Sequence, residues 1–181
     1  MNKKIRWITE TAVMLALLVC LQALTKPAGQ LVTGSFVNAV LAVSVLIGGL
    51  GCGVTVALCS PVLAYLLGIA PQILTVPAIM VGNTVFVVLL FFIAGKDSKQ
   101  IVRQVIAWAA AAGAKFVVLY LLVAKVICGV LSESLMASGA LKAPMLKALP
   151  ATFGVPQLFT ALIGGAAALL MVPVLRKALK K

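Results

Sequence analysis

Few residues of this 181-residue chain could take part in acid–base or metal chemistry. It contains no histidine, and its three acidic residues, Glu10, Asp97 and Glu133, are far apart. General acid–base catalysis and intramembrane proton relays need positioned titratable groups, and no pair of carboxylates occurs within an apolar stretch. The four cysteines form no CxxC pair, and there is no histidine that could complete a metal site. We therefore expect no catalytic residues, no metal and no cofactor.

Lys115 is the residue whose position is most informative. It lies about 14 residues, or roughly 21 Å at 1.5 Å per residue, into an apolar stretch that begins at Ile101. That depth is near the middle of a hydrocarbon layer of about 30 Å. A charge there should face the protein interior and meet a partner. One interpretation is a counter-charge for an anionic ligand. The alternative is a lysine bonded to helix carbonyls, or one that lies nearer to an interface.

Other isolated polar residues are candidates for the same site. Asn83 and Gln157 are amides within apolar stretches, where an unpaired amide costs free energy. Each should bind a ligand or, alternatively, join two helices. Gln30 and Thr33 occur in a Gly-containing segment that leads to Asn38. This segment could be a lid over a pocket, with an ordinary connecting loop as the alternative.

The elements that must position these residues are membrane helices. Hydrophobic residues make up 64% of the chain and charged residues only 10%, whereas a soluble domain has about a quarter charged. We predict an all-α membrane protein, residues 1–181 forming a single bundle of six transmembrane helices. The predicted spans are Ile8–Leu24, Phe36–Gly49, Val54–Leu67, Ile73–Ala94, Ile101–Cys128 and Thr152–Leu175. The connections are a loop at Ala28–Ser35, a Gly hairpin after Gly48, a turn at Gly68–Gln72, a polar stretch at Gly95–Gln100 and a loop at Gly129–Ala151.

The net charge of +12 comes from basic residues in short clusters between apolar stretches, as in the topology signals of membrane proteins. With six spans, one side carries ten basic residues, namely Lys3, Lys4, Arg6, Lys96, Lys99, Arg103, Arg176, Lys177, Lys180 and Lys181. The other side has four, namely Lys26, Lys125, Lys142 and Lys147. Since cytoplasmic loops are enriched in Lys and Arg, both termini should be cytoplasmic and the protein should reside in the cell membrane. The clustering disfavours nucleic acid as a partner.

Small residues at helical spacing indicate close helix contacts. Ala12 and Ala16 form a small-xxx-small pair on the first span, and Gly164 and Ala168 form another on the last. Such pairs allow two helices to approach closely. They could serve packing within this protein, and on the first span the alternative is docking to another membrane protein.

Taken together, the motifs resemble the substrate-binding S-components of energy-coupling factor (ECF) vitamin transporters. The resemblance covers nearly the whole chain and rests on the order and spacing of several short segments. These are Ala12-Val-Met-Leu-Ala16, Leu31-Val-Thr-Gly34, Val37-Asn38-Ala-Val-Leu41, Ser60-Pro61, Gly82-Asn83 and Phe153-Gly-Val-Pro-Gln157.

The resemblance implies a binding subunit of an ABC-type importer in a prokaryotic plasma membrane. It would capture a vitamin or related micronutrient from outside and dock, through the alanines of its first helix, on a transmembrane coupling protein with two ATPases. The ligand would lie near Gln30, Thr33, Asn38, Asn83, Lys115 and Gln157. Lys115 and the few aromatic residues favour a small carboxylate such as pantothenate. A stand-alone secondary transporter or channel is the alternative function, and a membrane enzyme is a third.

Overall fold

The structure, a computed structural model, describes residues 2–69, 72–94 and 101–179. Within these ranges the chain is helical apart from short turns and contains no β-strand. Five helical segments there are long and apolar enough to cross a membrane: Lys3–Ala28, Gln30–Gly48, Ile73–Ala94, Ile101–Val130 and Met145–Ala178. The segment Leu50–Leu66 is apolar but shorter. This is the architecture of an α-helical membrane protein.

The helices follow one another with short connections. They are α1 (Lys3–Thr25), α2 (Gln30–Gly48), α3 (Leu50–Leu66), α4 (Val76–Ala94), α5 (Ile101–Leu119), α6 (Ser132–Ala137), α7 (Met145–Phe153) and α8 (Val155–Ala178). 3₁₀ turns at Lys26–Ala28 and Ile73–Thr75 precede α2 and α4, and α5 continues into a π-helix at Tyr120–Val130. The predicted polar stretch Gly95–Gln100, residues 70–71 and the last two lysines lie outside the described residues.

Helix α2 is the centre of the bundle. It packs most extensively against α8 and also contacts α1, α3 and α4, while α5 packs against α4 and α8. Its residues Leu41 and Val45 are almost wholly buried, together with Phe86 and Leu90 of α4. Large apolar side chains also cover the outside of the bundle; Leu170 on α8, for example, is 78% exposed. An apolar exterior around a packed core is what a lipid environment favours.

Glycine makes the close packing of α8 possible. A Cβ atom on Gly164 would lie 2.3 Å from the backbone oxygen of Ser35 on α2. A Cβ on Gly165 would overlap the indole of Trp108 on α5. The small-residue stripe predicted on the last span is therefore confirmed as packing within this protein.

Helix α1 starts and α8 ends at the same end of the bundle. Gly51, at the start of α3, lies against Trp7 of α1. Arg176 near the end of α8 donates a hydrogen bond of 3.1 Å from Nη2 to the Leu46 carbonyl at the end of α2. Arg103 likewise donates from Nε to the Ile93 carbonyl at 2.5 Å. These arginines satisfy carbonyls that a helix C-terminus leaves without partners and complement its dipole.

The predicted loop Ala28–Ser35 is wrong for most of its length, because α2 begins at Gln30 rather than Phe36. Gly29, at φ 90°, ends the preceding turn, and its carbonyl accepts the first helical hydrogen bond from Thr33 N at 3.1 Å. The Thr33 hydroxyl also donates to the Thr25 carbonyl at 2.8 Å, which joins α2 to the end of α1. This segment therefore forms the first turns of α2 and is not an irregular loop.

Three other predicted boundaries also change. Helix α3 begins at Leu50, immediately after the single linking residue Gly49 at φ 85°, and so the predicted hairpin is confirmed but tighter. The predicted loop Gly129–Ala151 contains α6 and most of α7. The predicted last span, Thr152–Leu175, is interrupted at Gly154, where α7 ends and α8 begins. Pro156 in the first turn of α8 suits a helix start.

Candidate functional site

Lys115 lies on α5 and its side chain is buried, with 2% of its surface exposed. Its Nζ donates to Asn38 Oδ1 at 2.6 Å and to Asn83 Oδ1 at 2.7 Å. It also lies 5.6 Å from the centroid of the Phe86 ring, within the range of a cation–π interaction. One ammonium thus joins α2, α4 and α5. Within the described residues, Lys115 therefore bonds to side-chain amides and not to helix carbonyls, which was the alternative.

Asn38 extends this network to α8. Its Nδ2 donates to the Gly34 carbonyl at 2.8 Å and to Thr160 Oγ1 at 3.3 Å. The Thr160 hydroxyl donates in turn to the Gln157 carbonyl at 3.0 Å. Since both hydrogens of the Asn38 amide have acceptors, its oxygen is oriented toward the lysine. The close approach of α2 and α8 brings Asn38 within reach of Thr160: a Cβ on Gly34 would lie 2.8 Å from Thr160 Cγ2.

Asn83 is only half satisfied. Its oxygen accepts from Lys115, but its Nδ2 is buried and has no hydrogen-bond partner among the described residues. A buried N–H without an acceptor costs about 1–3 kcal/mol. The lysine ammonium has three N–H groups and uses two of them on the asparagines. An unused amide donor of Asn83 therefore occurs next to the Lys115 ammonium at the junction of α4 and α5.

These groups line a cavity of about 370 Å³. Its wall comes from α1 to α5, α7, α8 and the segment before α4. The described residues that line it are Gln22, Gln30, Thr33, Gly34, Val37, Asn38, Ala64, Ile69, Gln72, Ile79, Asn83, Lys115, Leu119, Ala148, Leu149, Thr152, Phe153 and Gln157. Its volume is within the usual range for small-molecule pockets, about 300–1,000 Å³. It lies toward the end of the bundle where α1 ends and α2 begins, opposite the start of α1 and the end of α8.

The structure brings all six sequence-predicted binding residues to this one cavity. Asn38, Asn83 and Lys115 form its polar centre, and Gln157 of α8 is buried beside them. Gln30 and Thr33 line it from the first turns of α2 instead of covering it as a lid. The role of these residues in binding stays a prediction.

Two further polar residues of the cavity were missed by the sequence analysis. Gln22 of α1 and Gln72, just before α4, both present an Oε1 atom that is buried without a hydrogen-bond partner among the described residues. Gln22 is an isolated amide in an apolar helix, the same signal that identified Asn83 and Gln157. Gln72 gives no such signal, since glutamine is ordinary in a predicted turn.

Helix α7 closes one side of the cavity with Ala148, Leu149, Thr152 and Phe153. This helix lies in the predicted loop before span six, where sequence periodicity over nine residues is too short to identify it. It packs against the π-helix and α8. Apolar side chains from α7 thus face the polar groups of the other helices, as in most small-molecule sites.

Three hydroxyl side chains within the apolar helices differ in their hydrogen bonding. Ser44 donates to the Leu41 carbonyl at 2.7 Å and Thr84 to the Met80 carbonyl at 2.7 Å, each within its own helix. Ser60 differs, because its buried Oγ has no partner among the described residues.

Ala12 and Ala16, the predicted docking residues, are exposed on the outer face of α1. Cys20 and Ala23, which continue this stripe, are exposed as well. The stripe therefore does not serve packing within the described part of this chain. It remains open to a partner helix or to lipid.

A second, larger groove of about 630 Å³ lies between α1, α2 and α8. Its lining is apolar except for Ser35, whose hydroxyl already donates to the Leu31 carbonyl at 2.6 Å. A groove of this kind cannot orient a polar solute, because it offers no free donor or acceptor side chain. We regard the polar cavity as the candidate site.

No protein-family model, curated protein or solved structure matches this chain. The class that the fold and the site define is an α-helical membrane protein with a buried polar cavity near one end of its helix bundle.

Proposed function

We propose that this chain is the membrane-embedded substrate-binding subunit of an ECF-type importer. In this proposal it crosses a prokaryotic plasma membrane six times, with both termini in the cytoplasm. Helix α3, at 17 residues, spans about 25 Å at 1.5 Å per residue and would be the sixth span beside the five longer ones. The basic residues near the chain ends support the orientation. The cavity would then open toward the outside.

The observation that carries the proposal is the convergence of polar groups in the cavity. Amide and ammonium groups from α2, α4 and α5 meet at one point inside an apolar bundle. A membrane protein keeps such groups at a cost in free energy, and they commonly mark a pathway or binding site. The cavity is large enough for a small solute and too small for a macromolecule. Capture of a vitamin-like micronutrient fits these dimensions.

Energy for uptake would come from a partner. The sequence contains no Walker-type phosphate-binding loop. The resemblance to S-components implies that a transmembrane coupling protein with two ATPase subunits would supply ATP hydrolysis. The exposed stripe of Ala12 and Ala16 on α1 is the proposed docking surface. Small side chains there allow a partner helix to approach closely.

Purification and uptake assays test the proposal directly. The chain, purified from cells that carry an ECF coupling module, should retain a small molecule and co-purify with the transmembrane and ATPase subunits. Uptake into liposomes should require the complete complex and ATP. Uptake by the chain alone, driven by an ion gradient, would instead support the stand-alone transporter and overturn the importer assignment.

A further inference from the structure

Building on the proposed binding function, we infer that the ligand is a compact monocarboxylate whose carboxylate binds between the Lys115 ammonium and the Asn83 amide. Its remaining part carries hydroxyl or amide N–H groups that donate to Gln22 and Gln72.

The first step is the identity of the free groups. Asn83 could expose an oxygen or an N–H₂ group, depending on how its amide is turned. Its oxygen is held by Lys115 Nζ at 2.7 Å, and this fixes Nδ2 as the free end. Beside it the ammonium keeps one N–H beyond the two used on Asn38 and Asn83. Both free groups are donors, and they require an acceptor.

The charge of the Lys115 ammonium is not balanced by the residues that line the cavity. None of the described residues that line the cavity is acidic. The asparagine oxygens orient the ammonium but carry no negative charge to balance it. A buried cation without a counter-ion is costly in a low-dielectric interior. A ligand that supplies one negative charge and two acceptor oxygens satisfies the charge and both donors, and a carboxylate has this combination. A phosphate dianion would leave one negative charge unbalanced.

The third step concerns the rest of the ligand. Gln22 and Gln72 line the cavity, and each has a buried Oε1 atom that accepts no hydrogen bond from the described residues. They come from α1 and from the segment before α4, not from the helix positions that hold the lysine. A ligand must therefore carry donor groups in addition to its carboxylate. A cavity of about 370 Å³ corresponds to about a dozen water molecules at 30 Å³ each, which favours a compact molecule.

The test uses the full chain in lipid nanodiscs and a small-molecule extract of bacterial cells as the probe. The protein is equilibrated with the extract and washed, and the released compounds are identified by mass spectrometry. Wild type is compared with Lys115→Met, which removes the charge, and with Asn83→Asp, which supplies a competing carboxylate. Lys125→Met is the matched control, because Lys125 lies over the Tyr120 ring and does not line the cavity.

We expect wild type and Lys125→Met to retain the same carboxylate-bearing compound. Lys115→Met and Asn83→Asp should bind it at least about tenfold more weakly, as expected for loss of a charge-assisted hydrogen bond. The carboxamide of that compound should bind wild type at least about tenfold more weakly than the acid, a comparison that does not depend on any variant folding.

Two results would overturn the inference and leave the binding function intact: retention of a compound without a carboxylate, or equal affinity for the acid and its carboxamide. If wild type retains no compound, the proposed binding function fails, and the inference fails with it.

Discussion

The contact between α2 and α8 is the part of the bundle where a single added methyl group should have the largest effect. In Gly164→Ala the new Cβ would lie 2.3 Å from the Ser35 carbonyl oxygen and 2.7 Å from Asn38 Cβ. Ordinary van der Waals separation starts near 3.4 Å, and so the helices must part by about 1 Å. Overpacking of this kind costs about 1–3 kcal/mol. The higher helix propensity of alanine returns about 0.5–1 kcal/mol.

Compared with an alanine substitution at an unhindered helix position, which has the same gain in helix propensity, Gly164→Ala should lose about 1–3 kcal/mol of unfolding free energy. Solute binding should also weaken, because Asn38 moves with α2. Gly113→Ala is the matched control: it places the same methyl group in a helix interior, where, apart from the local backbone of α5, no atom of the described residues lies within 4 Å. Thermal unfolding in detergent and equilibrium binding of the retained solute measure both effects. If Gly164→Ala is as stable as Gly113→Ala and binds equally well, the close α2–α8 packing described above is incorrect.

Three further predictions concern docking, orientation and α7. Ala12→Trp and Ala16→Trp should abolish ATP-dependent uptake and leave solute binding unchanged, because both side chains lie outside the cavity. If both variants take up solute normally, the docking role proposed for α1 is wrong. In a cysteine-free background, a membrane-impermeant maleimide added to intact cells should label Ser138→Cys and not Lys4→Cys, and the reverse pattern would invert the proposed topology. Gly154→Ala, whose Cβ would lie 2.7 Å from the Pro150 carbonyl oxygen, should displace α7 and lower solute affinity by calorimetry; unchanged affinity would contradict the role of α7 in closing the cavity.

Hydropathy and charge were sufficient to predict the general architecture. The predicted segment Ile73–Ala94 and the start of α5 at Ile101 agree with the structure, because long apolar stretches bounded by polar residues leave little choice. The other long helical segments can be predicted from their apolar composition for the same reason. The sixth span and the orientation relative to the membrane stay predictions.

The error at the start of α2 has a specific physical cause. In the sequence, Gly29 and Gly34 both favour a flexible loop. Gly29 does have positive φ and precedes the helix. Gly34 is helical, and it is small because the Thr160 side chain occupies the space where its Cβ would be. Sequence alone does not distinguish a glycine needed for backbone freedom from one needed for close approach.

The site residues could be predicted individually but not as a constellation. Lys115, Asn83 and Gln157 were recognisable because isolated polar groups in apolar helices must find partners. That Lys115 contacts both Asn38 and Asn83 depends on how α2, α4 and α5 cross, which periodicity does not specify. Gly154 and Pro156 together did carry a signal for the break between α7 and α8, and it went unrecognised.

The most direct test of the central claim is an experimental structure of the purified protein with its retained solute. We expect a bound molecule in the cavity, with an anionic group within hydrogen-bonding distance of both Lys115 Nζ and Asn83 Nδ2. A solute bound elsewhere, such as in the apolar groove between α1, α2 and α8, or a cavity filled by side chains of α7, would contradict it.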